Sequence, residues 1–115
     1  MNDFEKPIDT KVRETALRIM ERAMFYNSTA TTQDCTGSKP TFFVDFQGHT
    51  CCLYISVDSK GYGESSTTIR LDDFGICLCE REYHTVDEIQ SKLEAVLNRM
   101  EEIYATWYEK EYPNE

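Results

Sequence analysis

The chain has 115 residues, 40% of them apolar and 29% charged. That suits one soluble domain, residues 1–115, able to bury roughly two-thirds of its unfolded surface without a metal or disulfide staple. No run approaches the ~18 apolar residues of a membrane span, and the opening MNDFEKPIDT is too polar for a secretory signal. Twelve basic against 21 acidic residues leave a net charge of −9, which argues against the cationic surface that direct nucleic-acid binding requires.

The negative charge is unevenly placed. Residues 1–26 carry five of each sign, residues 27–84 four basic and eight acidic, and residues 85–115 three basic and eight acidic. Such a chain is repelled by phosphate and steered toward a basic surface.

Residues 9–26 read as a helix. Asp9 or Thr10 can accept the unpaired first-turn amides as N-cap. Val12, Ala16, Ile19, Ala23 and Tyr26 recur at 4-3-4-3 spacing and line one face. Arg18 and Arg22 fall on the polar side, where they read as paired surface charges. Residues 27–41 are small, polar and Pro/Gly-containing, which predicts a long loop. Asn27-Ser28-Thr29 matches a glycosylation sequon, a match without meaning unless the chain is exported.

A sheet follows. Residues 42–47 and 50–58 are rich in β-branched and aromatic residues and flank Gly48-His49, which predicts a two-residue hairpin turn. Residues 66–71 and 75–82 supply two more strands, and four in succession suggest a meander. Alternation puts Phe42, Val44, Phe46, Cys51, Leu53, Ile55, Val57, Ile69, Leu71, Ile76 and Leu78 on an apolar face. The opposite face is mixed, and Tyr54, Arg70 and Arg81 on it can form an anion or nucleotide site.

Residues 85–112 read as the last helix, with Thr85 as N-cap and Glu88 completing a capping box. Val86, Ile89, Leu93, Val96, Met100, Ile103 and Trp107 form a heptad seam backed by Leu97 and Tyr104, which also permits a homodimer through this helix. A helix of that length spans about 42 Å, more than the ~35 Å of a domain this size, so its end is expected to overhang. The last turns hold four aromatics, Tyr104, Trp107, Tyr108 and Tyr112, among carboxylates. Tyr and Trp supply interface anchors and carboxylates steer encounter, which makes Glu101, Glu102, Tyr104, Trp107, Tyr108, Glu109 and Glu111 the candidate partner-binding residues.

The five cysteines, Cys35, Cys51, Cys52, Cys77 and Cys79, are odd in number and lack an export signal, which predicts a reducing, cytoplasmic setting and thiols that act as small apolar groups. Structural zinc sites use Cys-x₂₋₄-Cys turns. Here Cys77 and Cys79 lie two apart on a strand, and in a meander Cys52 is separated from both by an intervening strand, so no metal or other cofactor is expected. A nucleophilic cysteine needs an electropositive setting, and Cys79 instead has Glu80 and Glu82 beside it. Nothing else has the pattern of an active site, so a non-enzymatic protein is expected.

The run TFFVDFQGHTCCLYISV, followed by a capped acidic helix, resembles small acidic α/β proteins of phages and other bacterial mobile elements. The resemblance covers the hairpin and general layout and carries no signature residues. It implies an anti-defence inhibitor of the anti-CRISPR kind, which presents carboxylates where nucleic acid would bind its target. Toxin-immunity proteins are similar in size and charge.

The expected fold is α+β, a four-stranded antiparallel meander with the N- and C-terminal helices on one face, in the order αββββα. The expected function is non-catalytic inhibition by binding the basic surface of a protein target, without direct contact to nucleic acid or membrane. A small-ligand or nucleotide-sensing module is the alternative.

Overall fold

A computed structural model describes residues 7–27, 40–58, 68–72, 75–80, 84–111 and 113. It is α+β in the expected order: helix α1 (Thr10–Asn27), strands β1 (Thr41–Gln47), β2 (Cys52–Asp58), β3 (Thr68–Arg70) and β4 (Ile76–Cys77), and helix α2 (Val86–Glu111). The four strands form one antiparallel sheet. No described helix is long and apolar enough to cross a membrane.

Asp9 caps α1. Its carboxylate accepts the Lys11 and Val12 amides at 3.0 and 3.3 Å, and its carbonyl accepts the Arg13 amide at 2.9 Å, satisfying first-turn donors that have no partner within the helix. Thr85 caps α2 in the same way, accepting the Glu88 amide at 3.2 Å. The predicted core stripe of α1 is buried at Val12, Ile19, Ala23 and Tyr26, while Ala16 is half-buried. Thr15, absent from that stripe, is buried because its hydroxyl has two partners: it donates to the Lys11 carbonyl at 3.0 Å and accepts from Gln90 of α2 at 2.7 Å.

The sheet offers one face to both helices. Residues opposite one another in antiparallel strands share a face; Phe42 pairs with Val57, Val44 with Ile55 and Phe46 with Leu53. Phe42, Leu53, Ile55, Val57, Ile76 and Leu78 join Val12, Ile19 and Ala23 of α1 and Ile89, Leu93, Val96 and Met100 of α2 in one core. The α2 seam is therefore occupied within the chain as far as Met100, and Ile103 and Tyr104 pack against the same core.

Two expectations need correction. The hairpin loop is four residues, 48–51, closed by the Gln47–Cys52 pair. The Thr50 amide bonds the Gln47 carbonyl at 3.3 Å, and the only described positive φ in the loop is at Cys51, at 58°. Gly48 does not adopt the positive φ that a two-residue turn with glycine first requires. The loop grows by an even number of residues in the register, so the faces survive the change.

The second correction concerns the meander. β4 pairs with β2, not β3: Cys52 faces Cys77 and Leu53 faces Ile76. β1 occupies the other edge of β2 along its whole length, so β3 and β4 are two pieces of one interrupted strand. Between Ile69 opposite Val57 and Ile76 opposite Leu53, seven steps on one side match four on the other. The surplus is taken up in a turn where the Gly75 amide bonds the Asp72 carbonyl at 3.1 Å and Gly75 has φ 103°. This pairing also overturns the separation assumed for Cys52 and Cys77.

Helix α2 has 26 residues and extends about 39 Å; near its end Tyr104 and Trp107 are half-buried and Tyr108, Glu109 and Lys110 are exposed. Of the predicted loop, Asn27 ends α1 and Thr41 opens β1; its residues 28–39 lie outside the described residues.

Candidate functional site

Large apolar residues at the end of α1 outnumber what one face can bury. Met24, Phe25 and Tyr26 are consecutive, and successive residues project about 100° apart around a helix. Tyr26 is 2% exposed, while Met24 and Phe25 remain exposed at 66% and 57%. The buried ring sets the position of the next element: Tyr104 of α2 stacks on Tyr26 with centroids 4.4 Å apart and planes at 23°. Phe42 of β1 lies 5.4 Å from Tyr26 on the sheet side.

From Tyr104 the aromatics continue outward. Trp107 lies 5.6 Å and Tyr108 6.1 Å from it, and Phe25 lies 6.4 Å away. Offset and edge-to-face contacts at these distances are the favoured geometries of aromatic pairs. Tyr108 keeps 39% of its surface exposed. The result is a contiguous aromatic patch made by the last turn of α1 and the last turns of α2.

Charge surrounds it. Arg22 lies over the Phe25 and Tyr26 rings, 5.0 and 4.9 Å from their centroids, and donates to the Tyr26 hydroxyl at 3.1 Å. That hydrogen bond, with the nearby Glu101 and Glu21 carboxylates, raises the Arg22 pKa. Its guanidinium therefore lies against both rings and is tied to the Tyr26 hydroxyl. Glu101, Glu102 and Glu109 are exposed on α2; the Arg99–Glu102 pair at 3.6 Å joins side chains that are 57% and 70% exposed, so it neutralises little in water.

Of the seven predicted partner-binding residues, then, Glu101, Glu102, Tyr108 and Glu109 are exposed, and Tyr104 and Trp107 are half-buried within the aromatic stack. Glu111 ends α2, and its side chain lies outside the described residues. Sequence reasoning missed the α1 half, Arg22 and Phe25. The run Met24-Phe25-Tyr26 was the available signal.

The alternative site is brought together only in part. Arg70 lies over the Tyr54 ring at 5.7 Å, while Arg81 falls outside the described residues. Asp45 stands directly opposite Tyr54 and accepts from Gln47 at 3.2 Å, placing a carboxylate on the face where an anion would sit.

Hollows also lie elsewhere among the described residues. A groove of about 280 Å³ between α1 and the sheet is lined almost entirely by apolar side chains, among them Leu17, Met20, Phe46, Leu53 and Leu78, with Arg13 its one charged residue, short of the several convergent polar groups that orient a small ligand. A second, of about 320 Å³, lies beside Asp72 and Lys92; Asp72 is buried, and neither of its carboxylate oxygens has a hydrogen-bond partner among the described residues.

Among the described residues, no group of three or more His, Cys, Asp and Glu side chains gathers as a metal site. Cys51 and Cys79 do meet, sulfur to sulfur, at 2.9 Å. Burial, and then the hydrogen bond shared with Cys79, push the Cys51 thiol up to about 12, so it is protonated at neutral pH. No family model, curated protein or solved structure matches the chain.

Proposed function

We propose that this chain is a non-catalytic, acidic binding protein of the phage or mobile-element anti-defence kind, acting in the cytoplasm. It docks the aromatic patch at the end of α1 and α2 on a basic, nucleic-acid-binding surface of a protein target. The observation that carries this reading is the patch itself: exposed Phe25 and Tyr108, held by the Tyr26–Tyr104 stack, with Glu101, Glu102 and Glu109 exposed on the same helix end. Rigid aromatics bury large area at small entropic cost, and anchors of this type supply most of the energy of an interface. Carboxylates beside them, on a chain of charge −9, accelerate encounter with a cationic surface and repel nucleic acid itself.

The test is capture from nuclease-treated bacterial lysate by the tagged chain, washed at about 0.05 M and about 0.5 M salt, between which the screening length falls about threefold. A nucleic-acid-handling protein held at low salt and shed at high salt is the expected result. Capture that is indifferent to salt, or that contains no such protein, contradicts the reading.

A further inference from the structure

Cys51 has a left-handed backbone, φ 58°, at the last position of the hairpin loop. A cysteine rarely adopts that conformation, and residues held in it concentrate at functional positions. The consequence is a meeting of two distant segments. The Leu78 amide donates to the Cys51 carbonyl at 3.0 Å, and one residue further on the Cys79 sulfur stands 2.9 Å from that of Cys51. A disulfide requires about 2.04 Å, so closure needs a movement of under about 1 Å between two segments already joined by the Leu78–Cys51 backbone hydrogen bond.

The other close cysteines differ. Cys52 and Cys77 are directly opposite across β2 and β4, but the Cys52 sulfur donates to the Thr50 carbonyl at 3.5 Å and that of Cys77 to the Cys79 carbonyl at 3.8 Å. Each of these thiols is engaged with backbone. Zinc needs four ligands, and among the described residues no third ligating side chain joins the Cys51–Cys79 pair.

We propose that Cys51 and Cys79 are an oxidisable dithiol, a modification site at which a low-molecular-weight disulfide of the glutathione class closes a bond between the hairpin loop and the segment after β4. The Cys79 thiolate attacks one sulfur of the oxidant; the oxidant's S–S bond breaks and one glutathione leaves, taking up a proton. Cys51 then loses its proton and attacks the Cys79 sulfur, releasing the second glutathione. Two protein thiols are oxidised and one small disulfide is reduced to two thiols, and excess thiol reverses both steps. Each step needs a deprotonated thiol, so closure of the bond accelerates with rising pH.

The full chain is incubated with oxidised glutathione, alkylated, digested and mapped by mass spectrometry. The expected product is a Cys51–Cys79 linked peptide pair, with a rise in melting temperature on the order of 10 °C for a bond spanning 28 positions, reversed by dithiothreitol. A Cys35→Ser/Cys52→Ser/Cys77→Ser chain keeps the link and the shift, and Cys79→Ser loses both. A link through any other pair, or persistent glutathione adducts on Cys51 or Cys79 without a link, overturns the proposal. The map of the unaltered chain decides this even where a variant fails to fold.

Discussion

Gly75→Ala is expected to cost about 3 kcal/mol or more of unfolding free energy, whereas Gly48→Ala changes it by less than about 1 kcal/mol. Gly75 has φ 103°, a region that L side chains rarely adopt. A Cβ there would lie 2.6 Å from Cε1 of Tyr54, 3.0 Å from Cζ and 3.1 Å from Cδ1. The ring cannot retreat freely, because Arg70 lies over it at 5.7 Å and its strand is paired on both edges. Backbone strain and overpacking therefore add. At Gly48 the nearest atom to a Cβ is Cε2 of Phe46 at 3.9 Å, an ordinary contact, and no positive φ is required. Urea unfolding of the two variants checks the difference; equal losses would mean that the turn at 72–75 does not set the break between β3 and β4.

Asn27→Ala is expected to cost about 2–4 kcal/mol and to speed hydrogen exchange at the Phe42 amide. The Asn27 side chain works here as a short piece of strand. Its amide donates to the Phe42 carbonyl at 2.7 Å, and its oxygen accepts the Phe42 amide at 2.9 Å. Alanine leaves both backbone groups of a half-covered site without these partners, and orphaned groups cost more than made bonds contribute. The same bonds hold the end of α1 against β1, where Tyr26, Phe42 and Tyr104 stack, so the aromatic patch is expected to loosen as well. Fluorescence of Trp107, which touches Tyr104, reports that loosening independently of global stability. An unchanged melting temperature with unchanged Phe42 exchange contradicts this role.

What could be read from the residues follows the range of the interactions. The two helices, the Asp9 and Thr85 caps and the two sheet faces depend on periods of a few residues, and each was legible. The partner of β4 was not, because Ile76 and Cys77 choose between β2 and β3 through a turn governed by Gly75, and strand pairing is non-local. The hairpin loop was misjudged for a related reason: glycine permits a positive φ without requiring it, and the chain placed that conformation on Cys51. Asn27 looked like loop or sequon, since nothing local reveals that its amide meets a residue 15 positions away.

The site divides in the same way. The α2 side, from Glu101 to Glu109, was visible as too many aromatics among carboxylates. The α1 side was hidden because Arg22 resembles any other charged residue on a polar face, and only the fold carries it over the Phe25 and Tyr26 rings. The meander that the chain does not form kept only Cys52 apart from Cys77 and Cys79; the Cys51–Cys79 contact was not read from the residues at all.

The account rests on a localised surface rather than on net charge. Two triple variants separate these: Glu101→Lys/Glu102→Lys/Glu109→Lys at the patch, and Glu14→Lys/Asp45→Lys/Glu80→Lys at exposed positions elsewhere. Each reverses three charges and moves the net charge from −9 to −3. With folding of both verified by circular dichroism, affinity for the captured target is measured at low salt. The account predicts a loss of at least about tenfold for the patch variant and no more than a few-fold for the other. Equal losses in the two variants, or undiminished binding by the patch variant, would contradict it.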